Sequence, residues 1–211
     1  MEIIKPLYEA IVTGDARTAR AITEKALAAG VEPMKIVTDY MVPAMSEVGS
    51  KFECNEYFVP ELLLSARAMK AAMEPIRPLL VAAGTQPVGR VVVGTVKGDL
   101  HDIGKNLVGA MLEGGGFEVI DLGVNVTPEQ FIATIREKNA NIVAMSALLT
   151  TTMPSMKTTI DALTQAGVRD QVKILVGGAP ITQKYADEIG ADGYSETAVG
   201  AVAAARKAIG K

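Results

Sequence analysis

The stretch Val91-Val92-Val93-Gly94-Thr95-Val96-Lys97-Gly98-Asp99-Leu100-His101-Asp102-Ile103-Gly104-Lys105-Asn106-Leu107-Val108 decides how this chain is read. Its first six residues are β-branched but for Gly94, which is the pattern of a strand covered on both faces. A polar loop with glycines follows, and from Ile103 the apolar spacing turns helical. The same alternation repeats to the C-terminus. Further strands are expected at residues 117–121, 142–146, 174–176 and near Gly193, and helices at 103–113, 128–138, 154–166, 181–189 and 198–209. Near-continuous apolar strands separated by helices predict a parallel sheet with helices on both faces. The expected fold here is an open, doubly wound α/β domain, Rossmann-like and flavodoxin-like, with its site outside the carboxyl ends of the strands.

Upstream of that stretch the pattern is helical only. Asp15 is an N-cap candidate for a helix that Gly30 stops, and a second helix starts near Pro33 and passes Pro43 with a kink. A third is expected from Pro60 to the 82–84 region, bent or ended by Pro75 and Pro78. Its buried stripe would be Leu62, Leu63, Ala66, Met69, Met73 and Ile76. With a short helix before Gly14 this predicts a four-helix bundle. Residues 84–89 have the composition of an exposed linker and are the expected hinge. The predicted domains are therefore residues 1–88, helical, and 89–211, α/β.

Composition narrows the function classes. With 211 residues, 49% of them hydrophobic, and 21 basic against 24 acidic side chains, the chain is expected to be compact and is neither a disordered tail nor a basic nucleic-acid arm. The single cysteine, Cys54, has no internal partner and is expected to be a small packed residue in a reducing compartment. The longest uncharged run, residues 139–156, carries Asn, Ser, Thr and Pro, and Glu2, Lys5 and Glu9 interrupt any signal-peptide core after Met1. A cytoplasmic protein without a membrane span is expected. His101 is the only histidine, so one subunit offers no closed zinc site of Cys and His ligands.

Several motifs fail on context. Gly114-Gly115-Gly116 sits at a helix end and reads as a cap and turn. Gly104-Lys105 is followed by Asn106 where a P-loop needs Ser or Thr, and Val176-Gly177-Gly178 lacks the lysine of a phosphoacceptor domain. The loop after the first strand is different. Gly98 and Gly104 allow close approach of a bulky group, and Asp99 stands where a carboxylate can support the His101 imidazole. One imidazole suffices for a metal whose equatorial bonds come from a macrocycle; the alternative is that His101 caps or packs the loop and binds nothing.

Asp99-x-His101-x-x-Gly104, then 41 residues, then Ser146-x-Leu148, then 28 residues, then Gly177-Gly178 resembles the cobalamin-binding signature of methionine synthase, corrinoid methyltransferase proteins and some mutases. The segments Phe52-Glu53-Cys54-Asn55-Glu56-Tyr57-Phe58-Val59-Pro60-Glu61 and Ser65-Ala66-Arg67-Ala68-Met69-Lys70 resemble the helical cap of methionine synthase and of small corrinoid proteins. The resemblance implies that His101 replaces the lower base of cobalamin or a related cobamide and ligates cobalt. Asp99 would hold the other imidazole nitrogen, and Thr152 would extend the relay where methionine synthase has serine. It implies that Gly98, Leu100, Asp102, Ile103 and Gly104 meet the cofactor, that Ser146, Leu148 and Thr150 line the channel of its nucleotide tail, and that Gly177 and Gly178 let the tail approach the backbone. Ala179 and Tyr194 are weaker tail contacts. Phe58 would shield the upper, methyl-bearing face, and Tyr57, Leu62 and Met69 are either helpers there or plain bundle core.

The function implied is that of a methyl carrier cycling between methyl-Co(III) and Co(I), not catalytic alone. Its implied partners are a substrate-specific methyltransferase (methanol, methylamine, betaine or methoxyaromatic donor), a tetrahydrofolate or coenzyme M methyltransferase, and a reductive activase. Neither the folate and homocysteine modules of methionine synthase nor the barrel of a mutase is expected in 211 residues. The alternatives are a cobalamin-dependent regulator, for which no basic recognition helix is evident, and the cobalamin-binding subunit of a rearrangement enzyme.

Overall fold

The computed structural model describes residues 4–83 and 87–211, which form two compact units divided between Pro87 and Val88, with Glu113–Gly116 grouping with the first. Residues 84–86, the start of the expected linker and hinge, lie outside the described residues, as do residues 1–3.

The first unit is helical: α1 (Lys5–Val12), α2 (Ala16–Ala28), α3 (Pro33–Ile36), α4 (Val42–Glu53), α5 (Val59–Met73) and α6 (Arg77–Ala82). Asp15 caps α2, its carboxylate accepting the Thr18 N–H at 3.0 Å. α1 packs on α2, α4 and α5 around Leu7, Ile11, Ala19, Met41, Val48, Leu62 and Met69, all buried. The carbonyl of Val12, left open where α1 ends, accepts from the Ser65 hydroxyl at 2.9 Å and the Tyr57 hydroxyl at 3.2 Å.

Two expectations take a definite form in this unit and two are corrected. The helix continues past Pro43 as expected: α3 runs through a π-helical turn, Val37–Met41, into α4, with Pro43 in the first turn of α4. A proline ring crowds the preceding turn and offers no N–H, and one extra residue in that turn accommodates both defects. The third helix is divided at its prolines as expected, α5 ending before Pro75 and α6 beginning just before Pro78. On α5, Leu62, Ala66 and Met69 are buried as expected but Leu63 is 44% exposed, because the buried stripe continues through Ser65, Ala68 and Ala72. Cys54 is exposed at the C-cap of α4, where no core reaches it.

The second unit alternates β1 (Arg90–Thr95), α7 (Ile103–Gly114), β2 (Glu118–Asp121), α8 (Pro128–Lys138), β3 (Ile142–Ser146), α9 (Pro154–Gln165), β4 (Lys173–Gly177), α10 (Gln183–Ile189), β5 (Gly193–Tyr194) and α11 (Ala198–Ala208). A short 3-10 turn, Arg169–Gln171, precedes β4. Every strand pair is parallel, in the order β2-β1-β3-β4-β5. Residues alternate across the sheet. Val92, Val143, Met145, Ile174 and Val176 join Phe131, Met156 and Ile160, whereas Val91, Val93, Ile142, Ala144 and Leu175 join Leu112, Phe117 and Ala205. Gly94 is glycine in a strand because Phe131 presses on it; a Cβ there would lie 2.9 Å from the ring. α8 begins with a reciprocal cap, the Thr127 N–H donating to Gln130 Oε1 at 2.8 Å and the Gln130 N–H to Thr127 Oγ1 at 3.4 Å.

Register then decides where chemistry collects. Thr95 of β1 pairs with Ser146 of β3, and Ser146 with Gly177 of β4, so the loops beginning at 96, 147 and 178 leave the sheet side by side. Strand order reverses at β1, with β2 on one side and β3 to β5 on the other, which makes the carboxyl ends of β1 and β3 the switch point of the sheet.

Candidate functional site

Asp99 lies in the loop after β1 with no exposed surface, yet both carboxylate oxygens are engaged. Oδ1 accepts the backbone N–H of His101 at 3.0 Å and stands 2.7 Å from His101 Nδ1. Oδ2 accepts the Leu148 N–H at 2.8 Å, the Leu149 N–H at 3.4 Å and the Thr152 hydroxyl at 2.6 Å, all from the loop after β3. Burial by itself disfavours the anion, but the hydrogen bonds from Thr152, Leu148 and His101 outweigh it and hold Asp99 well below the usual carboxylate range.

An ionised Asp99 accepts a proton bond from Nδ1–H, which fixes the imidazole tautomer and leaves the lone pair on Nε2. The His101 side chain is 50% exposed, so that nitrogen has access to a ligand. The buried hydroxyl of Thr95 donates to the His101 carbonyl at 2.8 Å, and the Ser155 hydroxyl to the Lys97 carbonyl at 3.0 Å. Thr95 was not legible in sequence, since a threonine in a strand looks like any other. Lys105, rejected as a P-loop lysine, is buried and donates to both oxygens of Asp121 and to Asn106 Oδ1.

Around His101 the surface is apolar and open. Leu100 is 72% and Ile103 74% exposed, and Leu148 and Leu149 are exposed as well. Gly98 and Asp102 are exposed in the same loop and Gly104 in the first turn of α7, where nothing lies within 4 Å of the place a Cβ on Gly104 would take. At the neighbouring loops Ser146 and Gly177 are half-buried, and Thr150, Gly178 and Ala179 are exposed. Gly178 adopts φ 130, and a Cβ there would fall 1.9 Å from the Ala147 carbonyl oxygen; only glycine lets the two loops come this close. Tyr194 pairs with Val176 and packs partly into the sheet core. In the helical unit Phe58 is 61% exposed at the start of α5, its N–H bound to Glu61 Oε2 at 2.9 Å. Leu62 and Met69 are bundle core, and Tyr57 is held by Val12.

These features fit a macrocyclic metal cofactor. Single-point ligation needs an imidazole of set tautomer and orientation, a flat ring needs open apolar surface around that nitrogen, and a long substituent needs a backbone stripped of side chains. His101, the leucines and isoleucine beside it, and Gly177-Gly178 supply these in turn. Among the described residues no three His, Cys, Asp or Glu side chains gather as a metal site of their own. Nor is any described helix long and apolar enough to cross a membrane.

Comparison with known proteins agrees with that chemistry. Two family models match, both described as a B12 binding domain, over residues 89–203 and 3–76. Trimethylamine corrinoid protein 1 of Methanosarcina acetivorans is 43% identical over 207 residues, 97% of this chain and 96% of its own length. The dimethylamine corrinoid protein of Methanosarcina barkeri is 42% identical over 207 residues, 98% of this chain and 97% of its own. Among solved structures, the methanol:cobalamin methyltransferase complex MtaBC from Methanosarcina barkeri contains a chain that superposes with a TM-score of 0.87 at 30% identity, covering 100% of this chain and 81% of that one.

Proposed function

The chain belongs to the B12-binding corrinoid proteins, carriers of methyl groups on a cobalamin or related corrinoid, and from that premise we propose that His101 is its cobalt ligand and a methylamine its methyl source. The observation that carries the ligand assignment is the 2.7 Å contact between Asp99 Oδ1 and His101 Nδ1, which in the neutral imidazole puts the lone pair on Nε2, the nitrogen Asp99 does not hold. When bound, the corrinoid supplies a cobalt that takes up and gives back the methyl group. Asp99 keeps the imidazole a good donor, and Thr152 with the Leu148 N–H keeps Asp99 anionic. Leu100, Ile103, Leu148 and Leu149 exclude water beneath the ring, Asp102, Gly98 and Gly104 border it, and Ser146, Thr150, Gly177, Gly178, Ala179 and Tyr194 are assigned to the nucleotide tail. Phe58 is assigned to the upper face.

The methylamine assignment rests on the 43% and 42% identity to the trimethylamine and dimethylamine corrinoid proteins, against 30% to the chain of the methanol complex. In this reading a methyltransferase specific for that amine loads the carrier, a second methyltransferase passes the group to tetrahydrofolate or coenzyme M, and a reductive activase restores cobalt that has been oxidised. Residues 89–211 hold the cofactor and 1–88 form the cap. Replacing His101 by Ala tests the core of the proposal: the visible spectrum of bound Co(III) corrinoid is expected to shift to that of a form without imidazole. An unchanged spectrum at full occupancy rejects the ligand. Methyl transfer from trimethylamine or dimethylamine, but not methanol, with the cognate methyltransferases checks the donor.

A further inference from the structure

The loop bearing Asp99 and His101 is braced by the loop after β2. Asp121, the last residue of β2, accepts the Gly123 N–H on Oδ1 at 2.8 Å while both its oxygens bind the ammonium of Lys105 at 2.7 and 2.6 Å. Both ends of that loop are then stitched to one residue of β1. The Thr95 N–H donates to the Gly123 carbonyl at 3.0 Å, and the Val126 N–H donates to the Thr95 carbonyl at 2.9 Å. Between these anchors Asn125 occupies the left-handed region, φ 54, which among side-chain-bearing residues Asn and Asp tolerate best.

In that conformation Asn125 grips the motif loop twice. Its backbone N–H donates to the Asp99 carbonyl at 2.9 Å, and its side-chain Oδ1 accepts the Gly98 N–H at 2.8 Å. The two bonds straddle the Gly98–Asp99 peptide, the unit whose orientation sets where the Asp99 carboxylate points. On the far side Thr95 holds the carbonyl of His101. A carboxylate that must meet Nδ1 of a residue two places along, and three donors from another loop, tolerates little rotation of its own backbone.

We propose that Asn125 is a positioning residue for the cobalt ligand: it clamps the Gly98–Asp99 peptide so that Asp99 presents Oδ1 to His101 before the cofactor arrives. The proposal rests on the reading of His101 as that ligand. Residue chemistry separates the two grips. Asn125→Gly keeps the left-handed backbone and its N–H but removes the acceptor for Gly98, whereas Asn125→Asp keeps backbone and acceptor together.

The test uses the full chain in three forms, parent, Asn125→Gly and Asn125→Asp, with hydroxocobalamin as the probe. Three quantities are read: binding affinity by visible titration, histidine-nitrogen coupling in the electron paramagnetic resonance of the Co(II) form with heavy-nitrogen histidine, and hydrogen exchange of the Gly98 amide in the cofactor-free protein. Loss of one neutral hydrogen bond corresponds to roughly a five-fold change. Asn125→Gly is expected to bind about five-fold more weakly, with a weakened or heterogeneous nitrogen coupling and faster Gly98 exchange, while strand amides keep their rates. Asn125→Asp is expected to restore all three. Parent-like affinity and coupling in Asn125→Gly, or an Asn125→Asp protein as impaired as Asn125→Gly, overturns the proposal. A parent protein without histidine-nitrogen coupling instead removes the ligand reading, and Gly98 exchange still decides the clamp, because an unchanged rate in Asn125→Gly rejects it.

Discussion

The helical unit and the α/β unit both present exposed apolar side chains, Phe58, Leu63 and Leu64 in one, Leu100, Ile103, Leu148 and Leu149 in the other, but they are built on different physics. The helical unit is held by nondirectional packing of a stripe that any side chains of similar volume would satisfy, with a few hydroxyls closing helix ends. The α/β unit gathers its site around one buried anion, whose hydrogen bonds come from sequence positions 101, 148, 149 and 152. Packing tolerates substitution by degrees; a buried carboxylate with fixed donors does not. That difference can be broken or sharpened experimentally.

The largest effect is expected in the helical core. Leu62 is fully buried, and Leu62→Ala should destabilise its unit by about 2–5 kcal/mol, read from urea unfolding, with Leu62→Met costing under about 1.5 kcal/mol. A conservative change should be far less forgiving at Asp99. Asp99→Asn keeps the volume and loses the anion, and cofactor affinity should fall about 10–100-fold, since partners that support a metal ligand typically carry that much. Equal affinity in an isothermal titration with hydroxocobalamin would reduce Asp99 to a loop residue. Thr152→Val removes a donor to a charged acceptor, for which about 1.5 kcal/mol of stability is the expected loss, while Thr152→Ser should keep the contact and the parent midpoint.

Titration should separate the units in opposite directions. Tyr8 donates to Glu47, and this bond, then burial, then the Glu47 charge push the phenol from 10.0 up to about 12. A raised folded value means that its contribution is complete below pH 10 and is lost as pH climbs toward 12, so Tyr8→Phe should flatten the alkaline limb of stability. Asp99 is depressed instead; its contribution is complete above the ordinary carboxylate value of 3.8 and is lost as pH falls below it, and Asp99→Asn should flatten the acid limb. The smallest effect on binding is expected at Phe58. Phe58→Ala should leave cofactor affinity nearly unchanged yet speed oxidation of Co(I) by air, and equal oxidation rates would remove it from the upper face.

What the amino-acid order by itself determined is everything local. The change from helical spacing to β-branched runs separates two architectures at the linker, Asp15 marks a helix start through its own side chain, and proline and glycine punctuate the rest. Asp99-x-His101 was legible for the same reason, because a carboxylate two residues from an imidazole can reach it within one loop. Tertiary structure alone decided what depends on distant chain. Leu62 and Leu63 are equally apolar neighbours, and only packing against α1 and α2 buries one and exposes the other. The spacing around Pro43 reads as helix, and only the folded chain shows that the turn before it is a π turn, Val37–Met41. Lys105 becomes the partner of Asp121, and Thr95 and Asn125 become braces of the motif loop, through pairing in the sheet that no spacing rule encodes. The ionised state of Asp99 belongs to the same class. Beyond His101, its donors Leu148, Leu149 and Thr152 lie 49 to 53 residues along the chain, and parallel register between β1 and β3 brings them to it.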